Sequence, residues 1–341
     1  MEHHLAGTRR LATIRAMRIV LCYPVGPRHV AQIGAAAGDA EIVDAGQERI
    51  AEEILAADIF CGHAKVPMPW ADVVRGGRLK WIQSSAAGLD HCLEPEVVES
   101  DIVITSASGV LSDQVAEHAV ALTTALCRSL PTFFRAQQNK DFTRSPTRDL
   151  HEATVGIVGL GGVGRRVAEI LSTFRARILA TDTFPADRPA HVAELWPADR
   201  LLEMAAQVDI LLLTAPLTDV TRNMIDAVVF SRMKPGALLI NVARGGLVVE
   251  ADLLAALNSG HLAGAAVDVT QQEPPPDDSP LWQHPRLIIT PHVAGQSARR
   301  MDQITDFFCE NLRRRRAGRP LLNVVDKQLG YPVRVARAVP D

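Results

Sequence analysis

Three charged residues late in the chain have the types that acid–base chemistry on a small acid requires. Arg244 lies in ALLINVARGG, Glu273 in AGAAVDVTQQEP, and His292 in RLIITPHVAG. Each follows an apolar run of strand length. A strand buried on both faces delivers its next residues to the C-terminal edge of a parallel sheet, where ligands bind in open α/β folds. A guanidinium offers a planar fork of donors to a carboxylate and carbonyl. An imidazole can hand a proton to a developing alkoxide and take it back in the oxidation direction. A neighbouring carboxylate orients that ring and favours its protonated form. Together these groups fit reduction of a 2-keto acid, given a hydride donor.

The segment Gly159-Leu160-Gly161-Gly162-Val163-Gly164 supplies a place for that donor. GxGxxG alone is weak. Here it follows the strand TVGIV and opens the helix VGRRVAEIL, the setting of a dinucleotide fingerprint. Gly159 allows the tight turn, Gly161 lets a pyrophosphate approach the backbone, and Gly164 lets helix pack on strand. The helix N-terminus offers unpaired N–H groups to phosphate. Eighteen residues past Gly164, at the end of the next strand, stands Asp182. A carboxylate there accepts from ribose hydroxyls and repels a 2′-phosphate, so NAD is expected rather than NADP.

The elements that position these residues fall into two alternating blocks. In the first, strands are expected at 17–23, 40–44, 58–62, 79–84 and 101–105. A helix over GQERIAEEILAA should place Ile50, Ile54 and Leu55 on one face. A long helix from about Ser112 to Gln138 follows, with Ser112 as N-cap and a break or kink at Pro131. The second block runs from Thr154 through strands and helices to RLIITPH, and a last helix covers about Ser297–Arg316. Strands separated by helices imply parallel sheets with right-handed crossovers. The fold class is therefore α/β, with two doubly wound parallel-sheet domains.

Composition is ordinary for a soluble globular protein and narrows the partners. The chain has 341 residues, 47% hydrophobic and 22% charged, with a net charge of −3. No global field points to nucleic acid or acidic membranes. No apolar run approaches the roughly 20 residues that cross a bilayer. Five separated cysteines without a CxxC pair fit reduced, buried thiols in the cytoplasm. No metal-ligand spacing occurs, so no metal is expected. Residues 1–16 form an N-terminal extension ahead of the first strand, with Met17 an alternative start. The run Arg313–Arg316 reads as a solvated helix end rather than a nucleic-acid patch.

GIVGLGGVGRRVAE, TAPLTDVTRNMID, MKPGALLINVARGGLVVEADLLAAL, GAAVDVTQQEP and TPHVAG resemble the D-2-hydroxyacid dehydrogenase family, over nearly all of residues 17–325. The resemblance implies a discontinuous, flavodoxin-like lid (substrate) domain at 17–112 plus 299–330. It implies a central NAD-binding Rossmann domain at 113–298, a tail at 331–341, and a homodimer. It gives Arg244, Glu273 and His292 the roles derived above. It places Asp268 against the nicotinamide carboxamide, and Thr214, Ala215, Pro216 and Ala243 along the cofactor. SSAAGLDH resembles the loop whose N–H groups hold the substrate carboxylate, which brings forward Ala87 and Gly88. It has Ala-Ala-Gly-Leu-Asp-His where Val-Gly-x-Asp is usual. Lys65, at a strand end, is placed for a substrate carboxylate or phosphate, the alternative being a solvated lysine. His63 and His91 are lesser candidates for substrate contact, and His118 is expected to make a buried structural hydrogen bond. Glyoxylate or hydroxypyruvate is the first substrate expected and D-3-phosphoglycerate the second. Glu273, where formate-oxidising relatives carry glutamine, argues against formate. An NAD-sensing corepressor is the alternative of another class.

Overall fold

The computed structural model describes residues 16–332; the expected N-terminal extension and C-terminal tail lie almost wholly outside them. The described chain divides into two compact units. One holds the residues up to Ser106 together with Ile304–Val325, the other Ala107–Gln303 with the residues from Asp326.

The first unit contains β1 (Arg18–Cys22), α1 (Pro27–Ala37), β2 (Glu41–Asp44), α2 (Gly46–Glu53) and β3 (Ile59–Gly62). It continues with α3 (Trp70–Gly76), β4 (Trp81–Ser84), α4 (Pro95–Glu99) and β5 (Val103–Thr105). Every pairing is parallel, in the order β2-β1-β3-β4-β5. That is the flavodoxin-like doubly wound order. β3 and β4 are buried throughout, as strands covered on both faces must be. Ile50 and Ile54 enter the core, but Leu55 is 48% exposed, contrary to the expected shared face. The helix tightens into a 3₁₀ turn at Ile54–Ala56, and a residue five positions beyond Ile50 rotates out of the stripe.

The second unit opens with α5 (Ser112–Cys127) and α6 (Leu130–Gln138). The break comes at Ser129, whose φ of 52° is left-handed, and Pro131 sits in the first turn of α6 rather than at the break. Leu111, not Ser112, holds the N-cap position of α5. Then follow β6 (Thr154–Val158), α7 (Gly162–Ser172), β7 (Arg177–Asp182), β8 (Glu194–Pro197), α8 (Leu201–Ala205), β9 (Ile210–Leu213), α9 (Ala227–Arg232), β10 (Ala237–Asn241), α10 (Glu250–Asn258), β11 (Leu262–Val267) and β12 (Leu287–Ile289). β8 adds a strand to the expected set; it is a short edge strand with little apolar run to reveal it. The order β12-β11-β10-β9-β6-β7-β8 is wholly parallel and reverses direction between β6 and β9. Alternate residues feed opposite layers: Leu211 and Leu213 one, Ile210 and Leu212 the other. Along α7, Val167, Ala168 and Leu171 face the core while Arg166 and Glu169 pair in solvent. Small residues of α5, Ala116 and Ala119, allow its close packing on α7.

The last helix, α11, starts at Arg300 rather than Ser297. From Ile304 it belongs to the first unit, where Phe308 packs on Trp81 with ring centroids 5.4 Å apart. Buried Asn311 donates to Gln83 Oε1 at 3.1 Å, and the Tyr23 and Thr305 hydroxyls meet at 3.0 Å.

Candidate active site

The glycine loop lies at the switch point between β6 and β9. Gly159 has φ 92°, and its N–H donates to the Thr181 carbonyl at 2.8 Å. A Cβ there would stand 2.7 Å from Ala215 Cα, so the turn passes against the end of β9 only because it carries no side chain. Thr214 closes the contact, its hydroxyl donating to the Gly159 carbonyl at 2.6 Å. Beyond the turn, α7 begins at Gly162, and helix geometry leaves the N–H groups of Gly162, Val163 and Gly164 without intrahelical acceptors.

Two observations fit a dinucleotide at this loop. The space a Cβ would fill at Gly161 is open to at least 4 Å, so a phosphate can approach the backbone there. Beside Gly162, the buried Ser112 Oγ has no hydrogen-bond partner among the described residues, a spare donor next to the phosphate-facing turn. Asp182 ends β7. Its Oδ2 accepts from Leu160 N at 2.7 Å and its Oδ1 from Phe184 N at 2.8 Å. Nearby guanidiniums are committed elsewhere. Arg165 bonds the Leu160 and Asp187 carbonyls and pairs with the Asp187 carboxylate at 3.2 Å, and Arg188 bonds the Val192 and Ala193 carbonyls.

The charged trio comes from three successive strand ends. After β10, Asn241 is 1% exposed and ties the turn. It accepts from Ala243 N and donates to the Arg244 carbonyl, both at 3.0 Å. The Arg244 side chain bonds back to the Ala243 carbonyl at 2.7 Å. The next residue, Gly245, runs so close to the loop after β11 that a Cβ would stand 2.0 Å from the Thr270 carbonyl. That loop carries Glu273, whose Oε1 accepts from Thr270 N at 3.3 Å and whose Oε2 lies 2.7 Å from His292 Nδ1. The two side chains are 39% and 48% exposed, so the pair is reachable by a substrate. A carboxylate only accepts, so Nδ1 carries the proton and Nε2 is the ring's exchangeable position.

Asp268, expected at the carboxamide, is 1% exposed. Its oxygens accept from Thr290 Oγ1 at 2.6 Å, Val293 N at 3.0 Å and Ala294 N at 2.8 Å. His118 Nε2 lies 2.9 Å from Thr290 Oγ1, in a half-buried hydrogen bond rather than the buried one expected. Pro216 follows Ala215, and its carbonyl accepts from the Thr221 hydroxyl at 2.7 Å.

Ala87, Gly88 and Lys65 belong to the first unit. Ala87 is exposed beyond Ser84, whose hydroxyl bonds Ala86. Lys65 lines a cavity of about 520 Å³ with Trp70, Asp72, His91 and Glu94. The His63 and His91 rings stack 4.0 Å apart in the same unit.

The sequence pattern alone does not single out Asn241, Gly245 or Thr290. Each carries a faint signal: a polar residue ending an apolar strand, a glycine after the arginine, and a threonine before Pro-His. The five cysteines are buried, and burial raises their thiols, to about 11 at Cys22 and Cys309 and about 12 at Cys92. Such thiols stay protonated at neutral pH. No described helix is long and apolar enough to cross a membrane.

The family model for the D-isomer specific 2-hydroxyacid dehydrogenase NAD binding domain matches residues 120–294. A glycerate dehydrogenase of Methylorubrum extorquens is 35% identical over 289 residues, covering 82% of this chain and 88% of its own. A D-isomer specific 2-hydroxyacid dehydrogenase from Xanthobacter autotrophicus, solved with NADPH and MES, superposes with a TM-score of 0.80 at 29% identity. The match covers 93% of this chain and all of that one. An NADPH-dependent glyoxylate/hydroxypyruvate reductase from Sinorhizobium meliloti gives a TM-score of 0.79 at 26% identity, covering 92% and 100%. The family model over residues 120–294 and the relatives and folds over most of the chain agree, and the chain therefore belongs to the D-isomer specific 2-hydroxyacid dehydrogenases, oxidoreductases acting on the CH–OH group of their donors.

Proposed function

We propose that this enzyme reduces a small 2-keto acid of the glyoxylate or hydroxypyruvate type to its D-2-hydroxy acid with NADH, and catalyses the reverse with NAD. The observation that carries the reading is the 2.7 Å contact of His292 Nδ1 with Glu273 in the unit that holds the dinucleotide loop. When bound, the nicotinamide supplies the hydride. Arg244 binds the substrate's carboxylate and polarises its carbonyl through the guanidinium fork. His292 gives its Nε2 proton to the oxygen as charge develops there. The ring is left neutral with Nδ1–H still on Glu273, so the tautomer needed for the reverse step is already set. Glu273 holds the ring and does not exchange a proton. Asp268, Ala243, Thr214, Ala215 and Pro216 are assigned to the cofactor's side of the site.

The choice of NAD rests on Asp182 and on the engagement of Arg165 and Arg188 with backbone carbonyls. Neighbours solved with NADPH and with NADP make this a property to measure. Substrate size rests on the named activities of the relatives. Unpaired, buried cysteines fit a reducing cytoplasm, and a homodimer is the assembly expected; light scattering at the elution peak tests the latter.

The direct test is steady-state oxidation of NADH and NADPH with glyoxylate, hydroxypyruvate, pyruvate and 2-ketobutyrate, and reduction of NAD with D-glycerate and D-3-phosphoglycerate. Turnover of the first two keto acids with NADH is expected. Binding of NADH without turnover of any acid would refute the substrate assignment and favour a sensor.

A further inference from the structure

His292 stands in a conformation that its own backbone does not favour. Its φ is 52°, the left-handed region in which an L side chain crowds its own backbone. Such a residue keeps one orientation only if its surroundings over-determine it. Here one residue supplies most of the hold. The Asp268 carbonyl accepts from His292 N at 2.8 Å, Asp268 Oδ1 from Val293 N at 3.0 Å, and Asp268 Oδ2 from Ala294 N at 2.8 Å. Three consecutive N–H groups, starting at His292 itself, are thus tied to Asp268.

The carboxylate that does this is itself fixed. Asp268 is 1% exposed, and a buried carboxylate must be met by donors. Thr290 Oγ1 donates to Oδ1 at 2.6 Å. Behind it, His118 Nε2 meets the same hydroxyl at 2.9 Å and stands 3.4 Å from Oδ1. His118 belongs to α5, whose buried face packs on the Rossmann sheet and α7. The bonds run from that helix through Thr290 to Asp268 and on to the backbone around His292.

We infer that Asp268, set by Thr290 and His118, is a clamp that positions His292 against Glu273 for proton transfer. The inference rests on the reading of His292 as the acid. None of the three need touch substrate to act, so they are positioning residues. The clamp also explains why Asp268 lies buried with both oxygens engaged. A residue serving the carboxamide alone would need neither Thr290 nor two N–H groups of the histidine loop.

Thr290→Val tests it in the full-length enzyme, because it removes the hydroxyl that orients Asp268 while leaving cofactor-facing groups intact. Displacing a reacting group by about 1 Å costs on the order of 10²-fold in rate, so partial release should lower kcat roughly 10- to 100-fold. The Kd for NADH, read from its fluorescence, should stay within about twofold. The pH profile of kcat should move, and Thr290→Ser should restore both. Unchanged kcat and pH profile, or loss of NADH affinity in step with kcat, would overturn the clamp. If Thr290→Val does not fold, His118→Gln carries the test, with the same direction and a smaller loss expected and an unchanged profile again refuting. His292→Ala, run alongside, separates the two readings. If it leaves kcat intact, the acid assignment fails; if it lowers kcat while Thr290→Val does not, only the clamp fails.

Discussion

Replacing Gly245 by alanine puts one methyl group where two loops of the site cross. The added Cβ would lie 2.0 Å from the carbonyl carbon and oxygen of Thr270, both backbone atoms that cannot swing aside. Ordinary contact begins near 3.4 Å, so the loops must part by about 1.4 Å, an overpacking that costs about 1–3 kcal/mol of stability. Arg244 is the residue before this glycine, and Glu273 is three residues after Thr270. Parting the loops therefore shifts Arg244 relative to the loop that carries Glu273. A misplacement of this size costs about 10²-fold in rate, or about 2.7 kcal/mol of transition-state stabilisation. The assay is kcat/KM for the preferred keto acid, with NADH affinity measured separately by fluorescence. Affinity should hold within about threefold, since Gly245 lies outside the phosphate-facing turn at the start of α7. Gly246→Ala is the control: its Cβ would meet the ends of two side chains, Leu217 at 3.0 Å and Arg222 at 3.6 Å, and both can rotate. A Gly245→Ala enzyme within threefold of wild type, or an equal loss in both variants, would refute the argument that this approach sets the site's geometry.

Asp182→Ala should narrow the preference for NADH over NADPH by about tenfold, since one charge-assisted hydrogen bond is worth about 1.5 kcal/mol; an unaltered ratio of their dissociation constants would show that other residues choose the cofactor. Phe308→Ala removes a ring that is 0% exposed and packed on Trp81, and should cost about 3–5 kcal/mol in denaturant unfolding of the unit that holds it. A loss under 1 kcal/mol would contradict that packing. Burial holds the thiols of Cys22 and Cys309 to about 11 and that of Cys92 to about 12, so all three stay protonated as pH rises to 9. A disulfide reagent at pH 8 should label the native enzyme slowly and all five cysteines after unfolding; rapid labelling of the native protein would refute it.

Features local in sequence are legible from the chain alone. A strand, a glycine turn and a helix occupy consecutive residues, so GIVGLGGVG announces a dinucleotide loop, and Asp182 is found as the next strand's last residue. Arg244, Glu273 and His292 can be named because each follows a strand at the same sheet edge. Repeated strand–helix alternation is enough for two doubly wound sheets. What the chain alone does not show depends on approach in space. Leu55 turns outward because the helix tightens at its end, and Leu111 rather than Ser112 holds the cap position.

The same division runs through the site. The sequence by itself determined which groups could carry charge, proton and phosphate, because side-chain chemistry and strand periodicity travel with the chain. Only the tertiary structure decided how those groups are held. Gly245 meets Thr270 from 25 positions away, Asp268 holds Ala294 from 26, and His118 reaches Thr290 from 172. Hydrogen bonds and steric contacts act over a few ångströms of space, whatever the separation along the chain, so these partners exist only once the sheet has brought its strand ends together.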